Sequence, residues 1–328
     1  MAATNIEVWQ EGLVLEQTAV ATGINKIVIR QENPIKAGPG THIDVSIRVG
    51  DENVRRSYSV VEQSEDLLDL TLGVFKVPNS RGGSIAMQQL KAGDRIEITQ
   101  PLQNFPLRIG APRYVLVAGG IGITALFAMA SLLKSIGADY VFHYSTRSRE
   151  ASAFQDELQS IHGDRIQFYF DDLGQKLEIE QLISSLDHNV ELYMCGPIRM
   201  MDAIRRTWNN SGLEQSNLRY ETFGASGWFD PEEFIVRIPK TGVEVLVGKD
   251  TSMLQALENA GVEMLSDCRK GECGLCEVRI VSLTGKIDHR DVFYSERQKD
   301  SKNKLSCCVS RVISEDPNTP SVIEIITT

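Results

Sequence analysis

Three of the six cysteines in this 328-residue chain fall in one short stretch, "SDCRKGECGLCEVRI", as Cys268, Cys273 and Cys276. Random scatter would give so close a triplet with a probability on the order of 0.002. The spacing C-x4-C-x2-C is that of a plant-type [2Fe-2S] loop, which needs one more thiolate further along the chain. "LSCCVSR" supplies it as Cys307 or Cys308. Thiolates suit sulfide-bridged iron because both are soft, and Gly271 and Gly274 leave the backbone free to turn its amides toward the sulfurs. A four-thiolate zinc site is the alternative, but zinc sites favour two short C-x2-4-C hooks, and the second half here has none.

Upstream of this stretch the hydrophobic pattern changes twice. From Ile6 to about Leu107, short alternating segments such as "INKIVIRQ", "HIDVSIRV" and "LLDLTLGVF" are punctuated by Gly, Pro, Asn and Asp. Six strands at this spacing predict a small antiparallel barrel. At "PRYVLVAGGIGITALFAMASLLKSIG" a buried apolar strand runs through glycines into an apolar helix, and strands then alternate with helices to about Arg219, the pattern of a parallel α/β sheet. After Ser226–Pro231, the candidate linker, a third pattern begins with "EFIVRIP" and "VEVLVG" and ends in "SVIEIIT". The expected boundaries are 1–108, 109–225, a linker at 226–232, and 233–328.

The charge balance, 34 basic against 44 acidic residues for a net −10, argues against a nucleic-acid partner. "MAATNIEVWQEG" has neither the basic nor the apolar region of a signal peptide, and no apolar run reaches the roughly 18 residues of a membrane span. A cytoplasmic setting is therefore expected, with no membrane partner. Clustered cysteines in that reducing compartment are more often metal ligands or redox groups than disulfides.

Two further motifs bear on chemistry. "GGIGITA" contains G-x-G-x-x-A at Gly120, Gly122 and Ala125, between a buried strand and a helix. In that context glycines admit a pyrophosphate and the helix start offers free N–H groups. The acid that often follows to bind a ribose is replaced by "YSTRSRE", where Arg147 or Arg149 could meet a 2′-phosphate or stack on adenine. In the barrel region, "RRSYSV" and "SRGGSIAM" bring Arg56, Arg81, Gly82, Gly83 and Ser84, which together suit a phosphate. The five histidines are scattered, so a Rieske centre is not expected in this chain, and there is no nucleophile elbow, Walker loop or HExxH.

Taken in order, "RSYS", "RGGS", "GGIGIT", "CGP", "CRKGECGLC" and "CVSR" resemble the phthalate dioxygenase reductase family, and the resemblance covers essentially the whole chain. It implies a multidomain fold: an antiparallel β-barrel flavin domain, an α/β parallel-sheet nucleotide domain and an α+β plant-type ferredoxin domain. It implies that Arg56, Tyr58 and Ser59 form the flavin motif, with Tyr58 packing on the isoalloxazine and Ser59 near its N5. Arg81, Gly82, Gly83 and Ser84 would hold the FMN phosphate, FAD being the less favoured flavin. Gly120, Gly122 and Thr124 would line the nicotinamide-nucleotide loop, with Cys195, Gly196 and Pro197 beside the nicotinamide and Arg147 at the far end. Phe223 would approach the flavin, and Ser59, Thr124 and Cys195 are the expected catalytic positions. "CVSR" favours Cys308 as the fourth iron ligand. The implied activity is NADH-dependent, NADPH being possible, with electrons passing to a Rieske-type oxygenase. A stand-alone flavin reductase or oxidase and a non-enzymatic redox sensor are the alternatives.

Overall fold

Apolar residues at every second position bury one face of a strand, and that period organises the first hundred residues of the computed structural model, which describes residues 6–78, 82–224, 226–316 and 321–327. The strands are β1 (Trp9–Ala21), β2 (Ile24–Gln31), β3 (Thr41–Val49), β4 (Glu52–Gln63), β5 (Asp69–Phe75) and β6 (Arg95–Thr99), with a two-residue β7 (Leu102–Gln103) beyond the six expected. They lie in the order β4-β5-β2-β1-β6-β3-β7, and β3 also pairs with β4, which closes the barrel. Ile27, Ile29, Ile43, Val45, Leu70 and Leu72 fill its interior, each fully buried aliphatic contributing roughly 1.5–3 kcal/mol. One short helix, α1 (Gly83–Met87), lies between β5 and β6.

The α/β part contains β8 (Arg113–Gly119), α2 (Ile123–Ser135), β9 (Tyr140–Thr146), α3 (Gln155–His162), β10 (Ile166–Phe170), α4 (Ile179–Ser184), β11 (Val190–Cys195), α5 (Ile198–Asn210) and β12 (Leu218–Glu221). Its sheet runs β10-β9-β8-β11-β12, all parallel. β8 and β11 are central and covered on both faces, which is why "YVLVAG" and "VELYMC" are buried throughout rather than alternating.

The third pattern gives β13 (Phe234–Ile238), β14 (Val243–Val247), α6 (Met253–Asn259), β15 (Glu277–Thr284), β16 (Lys286–Asp288), α7 (Glu296–Asp300), β17 (Lys304–Ser306), β18 (Arg311–Ile313) and β19 (Ser321–Thr327). The main sheet is ordered β14-β13-β19-β15-β17, with β16 and β18 paired separately. Phe234, Val236, Leu254, Leu257, Val278, Leu305 and Ile323 form its core. Ser252 caps α6 by accepting the Gln255 N–H at 3.1 Å.

Contacts group the chain into two compact units. The first runs to Gly196 and resumes at Ala203–Glu221, holding both the barrel and the parallel sheet; the second comprises Pro197–Asp202 and the chain from Thr222 onward. The expected linker is tied into the second unit. Ser226 Oγ accepts the Ile198 N–H at 2.9 Å, the Trp228 N–H donates to Asp288 at 3.0 Å, and Arg290 donates to the Phe229 carbonyl at 2.9 Å.

Candidate flavin, nucleotide and iron–sulfur sites

In the first unit, the parallel sheet reverses its winding direction between β8 and β11, and a crevice at the carboxyl ends of such strands is where open α/β sheets bind nucleotides. Gly119–Gly122 leaves β8 there and Cys195–Gly196 leaves β11, with Cys195 paired in register to Ala118. Gly122 has an ordinary helical φ of −59°, yet a Cβ on it would sit 2.1 Å from the Cys195 carbonyl oxygen and 2.4 Å from its carbon. The glycine is therefore required by close approach. Gly120 is the reverse case, with φ +52° and open space around it. Thr124 is buried, its Oγ1 donates to the Ile121 carbonyl at 2.9 Å, and its methyl would lie 2.6 Å from a Cβ placed on Gly73. Arg147 is exposed just past β9, while Arg149 turns onto the Phe170 ring at 5.1 Å. Pro197 opens α5, its carbonyl accepting the Met200 and Met201 amides at 3.0 and 3.1 Å.

Arg56, Tyr58 and Ser59 all lie on β4. Arg56 stands against Gly83, where a Cβ would meet its Nε at 2.7 Å. Gly82 precedes α1 with φ +87°, and Ser84 Oγ accepts the Val77 N–H at 3.2 Å. Arg81 lies outside the described residues. Burial pushes the Tyr58 phenol up to about 12, with the Arg56 charge opposing. Ser59 Oγ lies 3.5 Å from a carboxylate oxygen of Glu221, and His42 faces Ser59 across the β3–β4 register. All three side chains are buried. Glu221 and His42 are absent from the sequence expectations; Glu221 could have been found from its place at the carboxyl end of the last parallel strand.

In the second unit, the segment Cys268–Cys276 takes left-handed φ values at Arg269 (+50°), Gly271 (+79°) and Gly274 (+75°), the alternation that curls successive amides toward one side. Cys268 Sγ accepts the N–H groups of Glu272 and Cys273, each at 3.4 Å. Burial raises the Cys268 thiol while those amides and that of Lys270 oppose it. The Phe293 ring seals Gly274, where a Cβ would collide at 2.4 Å. The thiols fall into two groups. Cys268 contacts Cys273, and Cys276 receives hydrogen bonds from Cys307 and Cys308, which draw its thiol down to about 3 and push theirs up. Cys308 interacts with the charges of both Cys276 and Cys268, whereas Cys307 interacts with those of Cys276 and Glu258. Among the described residues, no three His, Cys, Asp or Glu side chains converge on a single-ion position. A glycine-turned loop whose amides donate to Cys268 Sγ, with Cys273, Cys276, Cys307 and Cys308 as further thiols, fits a two-iron cluster, which takes four cysteines. On the barrel, the Arg56 guanidinium, the Ser84 hydroxyl and a glycine backbone without side chains fit a phosphate-bearing flavin. Thr222–Gly224, which carries the half-buried Phe223, is held to the cysteine loop: the Thr222 N–H donates to Glu272 Oε1 at 2.8 Å, and a Cβ on Gly224 would lie 3.2 Å from Lys270 Cα.

Residues 14–106 match the oxidoreductase FAD-binding domain family and residues 236–312 match the 2Fe-2S iron-sulfur cluster binding domain family. The carnitine monooxygenase reductase subunit of Acinetobacter pittii is 34% identical over 83% of this chain and 88% of its own length. The vanillate O-demethylase oxidoreductase of a Pseudomonas strain is 35% identical over 86% of this chain and 88% of its own. The solved structure of phthalate dioxygenase reductase superposes with a TM-score of 0.71 at 27% identity, covering 96% of this chain and 98% of that one. The barrel, the parallel sheet and the ferredoxin-like part thus make this chain a flavin and iron–sulfur oxidoreductase. More specifically, it belongs to the phthalate dioxygenase reductase family. No helix among the described residues is long and apolar enough to cross a membrane.

Proposed function

We propose that this chain is the reductase component of a two-component Rieske-type oxygenase, drawing electrons from NADH through FMN and a [2Fe-2S] cluster and handing them to the oxygenase. The oxygenase substrate in this reading is an aromatic acid, an aryl ether or a quaternary amine such as carnitine. The observation that carries it is similarity to the carnitine and vanillate reductases running through both cofactor-binding parts of one chain.

When bound, the flavin accepts two electrons together and the cluster accepts them singly. The protein supplies position. Arg56, Arg81, Gly82, Gly83 and Ser84 hold the flavin phosphate, Tyr58 gives its ring an apolar cover, and the Ser59 hydroxyl is oriented by Glu221. Gly120, Gly122 and Thr124 shape the nucleotide loop, Cys195, Gly196 and Pro197 are the residues for the nicotinamide, and Arg147 meets the adenosine end. Cys268, Cys273, Cys276 and Cys308 ligate the irons, Cys308 being favoured over Cys307 by the "CVSR" run that it opens. The corresponding domains are 1–108, 109–225 and 233–328.

The test is the visible spectrum of the purified protein during anaerobic addition of stoichiometric NADH, then NADPH in a parallel sample, followed by release and identification of the flavin. Flavin and iron–sulfur bands that bleach together, faster with NADH, and release of FMN are expected. A colourless, zinc-containing protein would refute the reading, and full turnover independent of any protein acceptor would favour a stand-alone flavin reductase.

A further inference from the structure

Glu272 makes two contacts with opposite ends of the same residue. Its backbone N–H donates to Cys268 Sγ at 3.4 Å, beside the equivalent bond from Cys273. Its carboxylate accepts the Thr222 N–H at 2.8 Å and lies 3.6 Å from Lys270 Nζ. Thr222 is buried and the Glu272 side chain is only 25% exposed, so the carboxylate contact is largely shielded from water. We propose that Glu272 is a positioning residue for the cluster: its side chain clamps the cysteine loop to Thr222 and thereby fixes the amide that donates to Cys268. The inference rests on the reading of Cys268 as an iron ligand.

The physical reason is a difference between redox states. A hydrogen bond to a ligand sulfur stabilises the more electron-rich, reduced cluster more than the oxidised one, so donors to sulfur raise the reduction potential. An amide in a loop free to turn gives only part of that effect; one anchored from behind gives all of it. The preceding residues are braced as well, since Gly224 rests on the Lys270 backbone. Loss of the carboxylate therefore releases the donor without removing any ligand.

The experiment is an EPR-monitored redox titration of the holoprotein, comparing wild type with E272A, E272Q and E272D at one pH. E272A is expected to lower the cluster potential relative to E272Q by a few-fold to about tenfold in the one-electron equilibrium, tenfold being about 59 mV. E272Q keeps an oxygen that can accept the Thr222 N–H and is the charge-matched reference for E272A, since both lose the carboxylate charge. E272D keeps the charge but is one methylene shorter, and shifts in the direction of E272A. If E272A fails to retain a cluster, the contrast between E272D and E272Q decides. An E272A potential equal to that of E272Q, or a wild-type potential in E272D, overturns the inference. A wild-type protein without a [2Fe-2S] signal overturns the ligand reading itself, before any variant is compared.

Discussion

Replacing Gly122 and Gly120 separately by alanine isolates two different reasons for a glycine. At Gly122 the dihedral angles are those of any helical residue, so alanine brings no backbone penalty; the cost is steric, because its Cβ would lie 2.1 Å from the Cys195 carbonyl oxygen. That oxygen belongs to a central strand and cannot rotate away, which puts the change at the upper end of overpacking costs, about 3 kcal/mol. For a unit of this size that corresponds to a fall in melting temperature of about 6–12 °C. At Gly120 the situation is inverted. Nothing lies within 4 Å, but φ is +52°, so alanine costs about 1–2 kcal/mol through its left-handed conformation alone. Asparagine, which tolerates that region, should recover part of the loss at position 120 and worsen it at position 122. The assay is thermal unfolding of all four variants followed by near-ultraviolet circular dichroism, with the Michaelis constant for NADH measured alongside. G122A is expected to melt lowest among the alanine variants and to raise that constant, since the loop would have to part from Cys195. A wild-type melting temperature for G122A, or a G120N protein weaker than G120A, would show that the close approach does not govern this loop.

Separate replacement of Cys307 and Cys308 by alanine should abolish the iron–sulfur absorption only for Cys308→Ala; a full cluster in that variant moves the fourth ligand to Cys307. Burial pulls the His143 imidazole from an ordinary 6.5 down to about 4. Between those values the unfolded chain binds a proton that the folded chain does not, so stability is intact above about pH 6.5 and declines as the pH falls toward about 4, by at most about 1.4 kcal/mol per pH unit for this group. Urea midpoints measured from pH 7.5 to 4.5 should fall less steeply for His143→Gln than for wild type, and parallel curves would exclude His143 as a contributor.

Much of the architecture was legible because each part has its own period. Alternation marked the barrel strands, and continuous apolar runs marked β8 and β11, which are buried on both faces. The cysteine loop was legible from spacing alone. What could not be read were relations made by register and by crossing strands. Ser59 and Glu221 are 162 residues apart and meet only because the fold brings the middle of β4 to the carboxyl end of β12. The mutual approach of Gly122 and Cys195 likewise depends on β8 and β11 being neighbours. Glu272 stood inside a quoted motif, but its carboxylate gained significance only once Thr222 was seen to donate to it. The hydrogen bonds of the expected linker were out of reach for a related reason: "SGWFDP" does not show that Ser226, Trp228 and Phe229 pair with Ile198, Asp288 and Arg290, which are distant in sequence.

The closing of the barrel through the β3–β4 pair gives each of β1 to β6 a partner on both sides and leaves only the two-residue β7 at a border, whereas the five-stranded sheet of the second unit ends at β14 and β17. Such borders carry unpaired backbone groups that can capture strands of other chains. Here one border is three residues long and includes Lys304, and the other carries Glu244, engaged by Arg237 at 2.6 Å. In the proposed role, in which the protein meets an acceptor, delivers an electron and departs, contacts have to end quickly, and short, charged sheet borders disfavour accidental strand pairing that would outlast the exchange.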